Sequence, residues 1–544
     1  MPPQAPASTL RAEPSSSGPA TPVPVLPSQA DWPLFDAAAS RQIEAQARAV
    51  TNGPQALMAL AGLAVARLAL ALTPTTRRVW IAAGPGNNGG DGLVAARLLH
   101  QQGWSVQVSL VEGSGRQRPD DASWALQQAQ AAGVPISTRL SDIPDGSGLC
   151  IDALLGLGHH RPAQGDIAQA VRLLNAQAAP VLAVDLPTGL CGDTGRHLGG
   201  ETVNAAHTLA LLTLKPGLFT GQGRDAAGRV WWAGLGVDLG VDHAKHPPKA
   251  WLQGPGLLSR LLPARSHAGH KGRYGDVLVI GGAAGMGGAA SLASQAALAA
   301  GAGRVYLARL DGHAQADPAR PEVMPRSPAQ ALRPALLAHA TVVCGCGGGS
   351  AMANILPAVL DSAARLVLDA DALNAVAADP ALRQALRGRA SRGLPTVLTP
   401  HPLEAARLLG CSTAEVQADR LAAAHALALR CQATVVLKGS GTVITRAGSS
   451  SAATSVLNPT GNARLATAGS GDVLAGWMGG LWSQTWAADG VPSDPFEYRC
   501  ESGFEAACAA VWLHGRAAEA GAARLPLLAA DLIEAITAAV RQQI

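Results

Sequence analysis

Along this chain, short runs of β-branched and apolar residues alternate with longer stretches in which apolar positions recur every three or four residues. The first pattern predicts strands and the second amphipathic helices, and their alternation predicts a parallel sheet with helices on both faces. In the first half the candidate strands are Arg78–Ala83, Ser105–Val111, Gly148–Asp152, Val181–Asp185 and Thr208–Leu214. Candidate helices there are Gln42–Val50, Gln55–Leu72, Gly92–Gln102 and Asp120–Ala132. The pattern closes near Val237, and the short polar segment Asp238–Pro248 reads as a linker. It restarts at about Ala250, with candidate strands Asp276–Ile280, Arg304–Ala308, Thr341–Cys344, Leu366–Asp369, Thr396–Leu398 and Thr434–Lys438. Helices dominate the end, interrupted by the polar, turn-rich run Ala487–Cys500, which is expected to be a surface loop. Met1–Ala30 is rich in Pro, Ser and Ala, lacks the apolar core of a signal peptide, and is expected to be a disordered tail. The expected organisation is therefore a tail over 1–30 and two α/β domains, over 31–240 and 250–544.

Composition narrows the function. The 544 residues are 48% hydrophobic and 15% charged, enough apolar material for two large cores. The net charge of +4 is small and the basic residues are scattered, which argues against a nucleic-acid partner. The longest apolar candidate, Ala56–Leu72, contains Arg67 and reads as a buried helix, so no membrane span is expected. The eight Cys are spread out and often sit inside apolar runs, which fits a reducing cytoplasm better than a disulfide framework. Cys344 and Cys346 have no second pair with which to hold zinc.

The candidate chemistry lies in polar, glycine-rich segments at strand ends. In the first half these are Gly84-Pro85-Gly86-Asn87-Asn88-Gly89-Gly90-Asp91-Gly92, then Asp152-Ala153-Leu154-Leu155-Gly156-Leu157-Gly158-His159-His160-Arg161, then Asp185-Leu186-Pro187-Thr188-Gly189. Glycines allow close approach of the backbone, and amides at a helix start attract anions. A lone Asp at a strand end is more often a cap or turn residue. Three such segments reaching one edge of a doubly wound sheet point instead to a ligand crevice.

These residues resemble the N-terminal domain of the YjeF family, the NAD(P)H-hydrate epimerases, through GPGNNGGDGLVAARLL, DALLGLG, VDLPTGLCGDTG and LKPGLFTGQGRDAAGRV. The resemblance spans roughly Asp36 to Val237 and implies a Rossmann-like three-layer sandwich. It implies substrate contacts from Asn87, Asn88, Gly89, Gly90 and Asp91, and from Gly156, Leu157, Gly158, His159, His160, Arg161 and Pro162. It makes Asp185 the acid/base and places a potassium ion on Asn88, Asp152 and Thr188, oxygen donors suited to a hard cation. The family's Leu-Met-Glu-x-Ala-Gly appears here as Leu57-Met58-Ala59-Leu60-Ala61-Gly62, without the Glu. Leu157 stands where Thr is common, and Thr188 where Ser is common.

In the second half, Asp276–Gly282 is a strand entering a glycine-rich loop that leads through Gly285–Ala290 into a helix expected over Ser291–Ala300. Further on come Thr399-Pro400-His401-Pro402-Leu403-Glu404, Lys438-Gly439-Ser440-Gly441-Thr442 and Asn458-Pro459-Thr460-Gly461-Asn462. Ala466-Thr467-Ala468-Gly469-Ser470-Gly471-Asp472 then precedes a helix expected over Val473–Leu481. Glycines before a helix place amide donors where phosphate charge builds up.

With HKGRYGDVLVIGG, LVLDADALN, TPHPLEAARLLG, VVLKGSGTVI and NPTGNARLATAGSGDVLAGWMGGL, this set resembles the ADP/ATP-dependent NAD(P)H-hydrate dehydratases of the ribokinase-like superfamily. It implies a ribokinase-like α/β domain with nucleotide held by Lys438, Gly439, Ser440, Gly441, Thr442 and Gly471. Hydrated substrate would lie against Ala289, Gly347, Gly349, His401 and Asp472, with Asp472 as catalytic base. Cys346 and Gly348 replace the more usual Pro and Leu. Magnesium is expected with ADP or ATP, no magnesium ligand set is visible, and a homo-oligomer is expected. The alternative is a small-molecule kinase whose first domain is a non-catalytic nucleotide-binding module.

Overall fold

A computed structural model describes residues 20–27, 30–75, 77–112, 117–140, 146–237, 243, 245–262, 265–313, 320–447, 454–485, 495–521 and 525–543. The chain divides into two compact units, Met1–Leu252 and Gln253–Ile544.

In the first unit the strand order across the sheet is Val23–Pro24, Arg229–Ala233, His207–Leu211, Val181–Val184, Leu149–Ala153, Arg78–Ala83, Ser105–Leu110, Ile136–Ser137. All pairs are parallel except that of Val23–Pro24 with Arg229–Ala233. The central strand Arg78–Ala83 explains the layering. Its alternate side chains Val79, Ile81 and Ala83 pack into one core with residues of the helices Ala56–Leu72, Asn87–Gln101 and Asp120–Ala131. Trp80 and Ala82 point the other way, into a second core with Ala170, Val171 and Leu174 of the helix Gly165–Ala176. Strand order reverses between Arg78–Ala83 and Leu149–Ala153, and the crevice of a doubly wound sheet opens at the carboxyl ends of such strands.

The second unit repeats the scheme. Its order runs Met324–Pro325, Arg304–Arg309, Asp276–Gly281, Thr341–Cys344, Arg365–Leu368, Thr396–Leu398, Thr434–Leu437, Val443–Arg446, Thr454–Leu457. The last two strands are antiparallel to their neighbours and the others are parallel. The reversal here lies between Asp276–Gly281 and Thr341–Cys344. Among the described residues no helix is long and apolar enough to cross a membrane.

Several expectations are corrected. The stretch expected to be a disordered tail ends in a short strand, Val23–Pro24, with Ala20 and Val25 buried; residues 1–19 lie outside the described set. The edge of the Arg229–Ala233 strand offers free backbone groups, which this segment satisfies. The expected strand Thr208–Leu214 stops at Leu211, because Leu212 takes a left-handed φ of 58° and turns the chain. The helix expected from Gly92 begins at Asn87, so Asn87–Asp91 form its first turn rather than a loop. Likewise the helix expected over Ser291–Ala300 is Gly287–Ala299, and the one expected over Val473–Leu481 is Ser470–Thr485. The run Ala487–Cys500 is not wholly a surface loop: residues 486–494 lie outside the described set, but a helix starts at Pro495 and continues to Glu519. Proline suits that first helical position because its missing N–H has no intrahelical partner there.

Candidate functional site

In the first unit, three segments meet over the sheet's carboxyl edge. Gly84 packs so closely on Leu154 that a Cβ would sit 1.9 Å from its carbonyl oxygen, and a Cβ on Gly89 would sit 2.0 Å from the Gly84 carbonyl oxygen. Only glycine permits this contact of backbone on backbone. Arg118 donates to the Gly84 carbonyl at 2.9 Å and fixes the turn.

The segments enclose a cavity of about 690 Å³ lined by Asn87, Asn88, Asp91, Leu154–His159, Asp185 and Lys215, and on one side by Arg41, Glu44 and Arg48 of the helix Ala37–Val50. Gly156 lines it between Asn88 and Asp185. A Cβ there would lie 3.2 Å from Asn88 Oδ1 and 3.4 Å from Asp185 Oδ2, so both polar groups face one spot. Among the described residues the buried Asn88 Nδ2 has no hydrogen-bond partner. Asp91 is buried, and burial, reinforced by the charge of Asp185, holds its carboxyl well above the usual range.

Asp152 is fully buried beneath this floor. It accepts from the Thr188 amide at 2.8 Å, the Thr188 hydroxyl at 2.8 Å and the Leu154 amide at 3.1 Å. Burial still outweighs these bonds and pushes its pKa up to about 6.

Not every expected contact is at the cavity. Gly89 and Gly90 are buried behind it, while His160, Arg161 and Pro162 are exposed and outside the lining. His160 is held by Arg41 at 3.0 Å.

One residue with no role in the sequence reading stands at the centre. Lys215 is 2% exposed, and its ammonium pairs with Asp185 Oδ1. It lies 30 residues beyond Asp185, behind the turn at Leu212, so no local spacing reveals the pair.

The second unit builds its site around the start of the helix Ser470–Thr485. Asp472 lies in its first turn, and the backbone before it turns at Gly469, with φ of 87°. A Cβ on Gly471 would sit 3.4 Å from Lys438 Nζ, so the lysine reaches the helix start. Lys438 donates to Asp369 Oδ1 at 2.7 Å, and Thr399 donates to the same oxygen at 2.8 Å. Burial opposes the charge of Lys438, but Asp369 and Glu404 more than offset this and hold its pKa above the ordinary value.

Among the described residues Asp472 has no ion pair. Burial, then the charge of Asp369, push its pKa up to about 6, against a smaller lowering by the nearby Cys346 thiol. Cys346, Asp369 and Asp472 place one ligand atom each within 4.8 Å of one another.

The surrounding loops are braced. Arg420 is buried and donates to the Leu437 and Lys438 carbonyls, each at 3.1 Å, behind Gly439. His514 reaches the Ser470 carbonyl at 3.0 Å and, buried, has its pKa lowered to about 4. His401 accepts from the Leu403 and Glu404 amides and caps the helix Pro402–Leu409. Gly347 lies against Ala289, 2.9 Å from Cβ to Cβ if it carried one, and the Gly349 amide donates to Asp371. Asp472, Gly471 and Lys438 are thus brought together, and Ala289, Gly347 and Gly349 form a second group. Asp369 was missed by sequence reasoning, although it lies inside LVLDADALN; Cys346 was noticed, but only as a departure from the usual Pro.

Comparison with known proteins decides the family. The profile of the NAD(P)H-hydrate dehydratases matches residues 277–538, and that of the YjeF-related protein N-terminus matches residues 54–217. The bifunctional NAD(P)H-hydrate repair enzyme of Escherichia coli K12 is 36% identical over 495 residues, covering 90% of each chain. This chain belongs to the bifunctional NAD(P)H-hydrate repair enzymes. A relative of the same description from Coxiella burnetii is 36% identical over 91% of this chain and 97% of its own length. Among solved structures, the ADP/ATP-dependent NAD(P)H-hydrate dehydratase of Bacillus subtilis, co-crystallised with ATP and Mg2+, is 28% identical over 53% of this chain and 96% of its own, with a TM-score of 0.41. In a bifunctional repair enzyme, the cavity around Asp185 falls in the YjeF-type segment and the Asp472 site in the dehydratase-type segment.

Proposed function

We propose that the first unit interconverts the R and S epimers of NAD(P)H-hydrate at Asp185, and that the second dehydrates the S epimer at Asp472 with phosphoryl transfer from ADP. What supports this reading is that Asp185 faces Gly156 in the first unit's cavity, and that Asp472 stands in the first turn of the helix Ser470–Thr485, next to Gly471 and the Lys438 ammonium.

For epimerisation, the hydrated ring lies over Gly156 between Asn88 and Asp185. Asp185 takes the proton of the C6 hydroxyl as the C6–N1 bond opens to an aldehyde and passes it to N1, which leaves with the bonding pair. After rotation it takes the proton back from N1 as the nitrogen closes on the other face, and returns it to the C6 oxygen. Asn87, Asp91, Leu157, Gly158 and His159 line the rest of the substrate space. Asn88, Asp152 and Thr188 are the residues to hold potassium. The fit rests on a fully buried carboxylate whose charge burial opposes, bonded to the Thr188 hydroxyl, with Asn88 Oδ1 as the third oxygen donor. A bound monovalent cation supplies the positive charge that keeps this floor ionised and shaped.

For dehydration, Asp472 takes the proton of the C6 hydroxyl as its oxygen attacks the terminal phosphorus of the nucleotide. The amides of Gly469–Asp472 and the ammonium of Lys438 stabilise the transferring phosphoryl group. The ring nitrogen then expels phosphate, and loss of a proton from C5 restores the double bond. Lys438–Thr442 and Gly471 hold the nucleotide; Ala289, Gly347, Gly349 and His401 hold the substrate. Cys346, Asp369 and Asp472 do not make a dedicated magnesium site, since a thiol is a poor ligand for that hard ion and Lys438 already pairs with Asp369. Magnesium is therefore assigned to the nucleotide's phosphates.

Chromatography of the two epimers without nucleotide, and release of AMP against ADP with each nucleotide, test the two halves separately. Failure to interconvert the epimers would remove the first assignment, and phosphate release from ATP alone would remove ADP as the donor.

A further inference from the structure

A carboxylate that moves protons has two oxygens, and a site gains precision if one is tied and the other is left to the substrate. Asp185 is built this way. Its backbone takes a φ of 65°, a left-handed conformation that a non-glycine residue adopts only where its surroundings impose it. Oδ1 receives the Lys215 ammonium and lies 3.5 Å from the Leu211 amide. Oδ2 faces the cavity at Gly156, opposite Asn88.

Lys215 itself is held firmly. Its ammonium also donates to the Leu211 carbonyl at 3.3 Å. On one side Leu214 accepts from the Phe35 amide at 2.8 Å. On the other, Gly217 donates to the Gly192 carbonyl at 2.7 Å, packed so tightly that a Cβ would lie 2.2 Å from the Cys191 carbonyl oxygen. Burying a lysine and an aspartate together is a weak source of stability, because desolvation cancels much of their attraction. An ion pair placed on the carboxylate that faces the cavity at Gly156 is better explained by what it does for that carboxylate.

We propose that Lys215 is the positioning residue of the epimerisation: it ties Asp185 Oδ1 and so makes Oδ2 the single oxygen that exchanges the C6 hydroxyl proton. This rests on the epimerase reading of the first unit. Lys215 touches Asp185, not the reacting atoms, and its effect falls on turnover more than on substrate binding.

The full chain carries its own control, because dehydration of the S epimer occurs in the other unit. Epimerisation of NADPH-hydrate, followed by chromatography in wild type, Lys215→Met, Lys215→Ala and Lys215→Arg, tests the inference. Lys215→Met is expected to lower epimerisation kcat about 100-fold with KM within about threefold. Dehydration of the S epimer by the same preparation stays unchanged. Ethylammonium, which can donate to Asp185, restores roughly tenfold of the rate lost in Lys215→Ala, while tetramethylammonium, which cannot, restores none. Lys215→Arg retains more activity than Lys215→Met. A Lys215→Met rate within about twofold of wild type overturns the inference. So does a loss that neither ethylammonium nor Lys215→Arg recovers, since that pattern belongs to a residue needed only for folding. A wild type unable to interconvert the epimers overturns the underlying reading instead.

Discussion

Each unit carries a buried aspartate–lysine pair at its candidate site, and the two pairs are used differently. In the first, Lys215 holds Asp185, the residue assigned to the chemistry, and thereby selects which of its oxygens faces the cavity. In the second, Lys438 holds Asp369 and leaves Asp472, among the described residues, without an ion pair and near the Cys346 thiol, with a pKa pushed up to about 6. The first arrangement suits a proton shuttle that must return what it takes, since orientation matters more than basicity. The second suits a base that must take a proton outright near neutral pH while a cation stands by for the phosphoryl group.

The sharpest way to break this comparison is to remove the two working carboxylates in turn. Asp472→Asn is expected to lower dehydration by about 1,000-fold or more while epimerisation stays within twofold, and Asp185→Asn the reverse. Epimer chromatography and NADPH recovery on one preparation read both. If either variant lost both activities while still folded, the assignment of one carboxylate to each unit would fail.

Next in size is the structural weight of the second pair. Lys438→Met leaves Asp369, 1% exposed, buried without its cation, and should destabilise the second unit by about 3 kcal/mol while leaving the first unit's transition in place. Thermal unfolding followed by hydrogen exchange in each unit reads this directly. Equal losses in both units would contradict it.

The pH dependence sharpens the contrast further. Asp472 must be ionised to act as a base, and its pKa is raised to about 6 by burial and by Asp369. Dehydration should therefore level off above about pH 6 and fall about tenfold per pH unit below it. The stability contribution of the same group has the opposite sign. Its folded pKa is raised, so that contribution is full below the ordinary carboxylate range and is lost as pH rises through about 6. A dehydration rate that falls as pH rises through this window would contradict the role of Asp472 as base.

The smallest expected effect belongs to Cys346. Its thiol lies near Asp472 and lowers that carboxylate's pKa, so Cys346→Ala should move the acid limb of dehydration upward and reduce the rate at pH 6 by about twofold, with epimerisation untouched.

These contrasts were only partly legible in the sequence. The alternating pattern exposed both sheets, and the glycine-rich segments located both sites, because close backbone approach demands glycine at Gly84, Gly89 and Gly281. The boundaries drifted where glycine stands inside a helix: Asn87–Asp91 read as loop because Gly89 and Gly90 are poor helix formers in isolation, yet helix packing against Gly84 and Met58 requires them. The partners were hidden for a different reason. Lys215 reaches Asp185 across 30 residues and Lys438 reaches Asp369 across 69, so no local pattern records either pair. Cys346 was visible as a departure from the usual residue, but its closeness to Asp472 appears only once the sheet brings their loops together. The strand Val23–Pro24 escaped notice because two residues in a Pro-rich segment leave no periodicity to read.

The central claim is that one chain repairs both epimers by two separate carboxylates. Its most direct test is absorbance at 340 nm with the purified full chain, a mixture of NADPH-hydrate epimers, potassium, magnesium and ADP or ATP. The account predicts nucleotide-dependent recovery of NADPH from both epimers, reduced to the S epimer alone in Asp185→Asn. Recovery from both epimers at the wild-type rate in that variant, or from neither in the wild type, would contradict it.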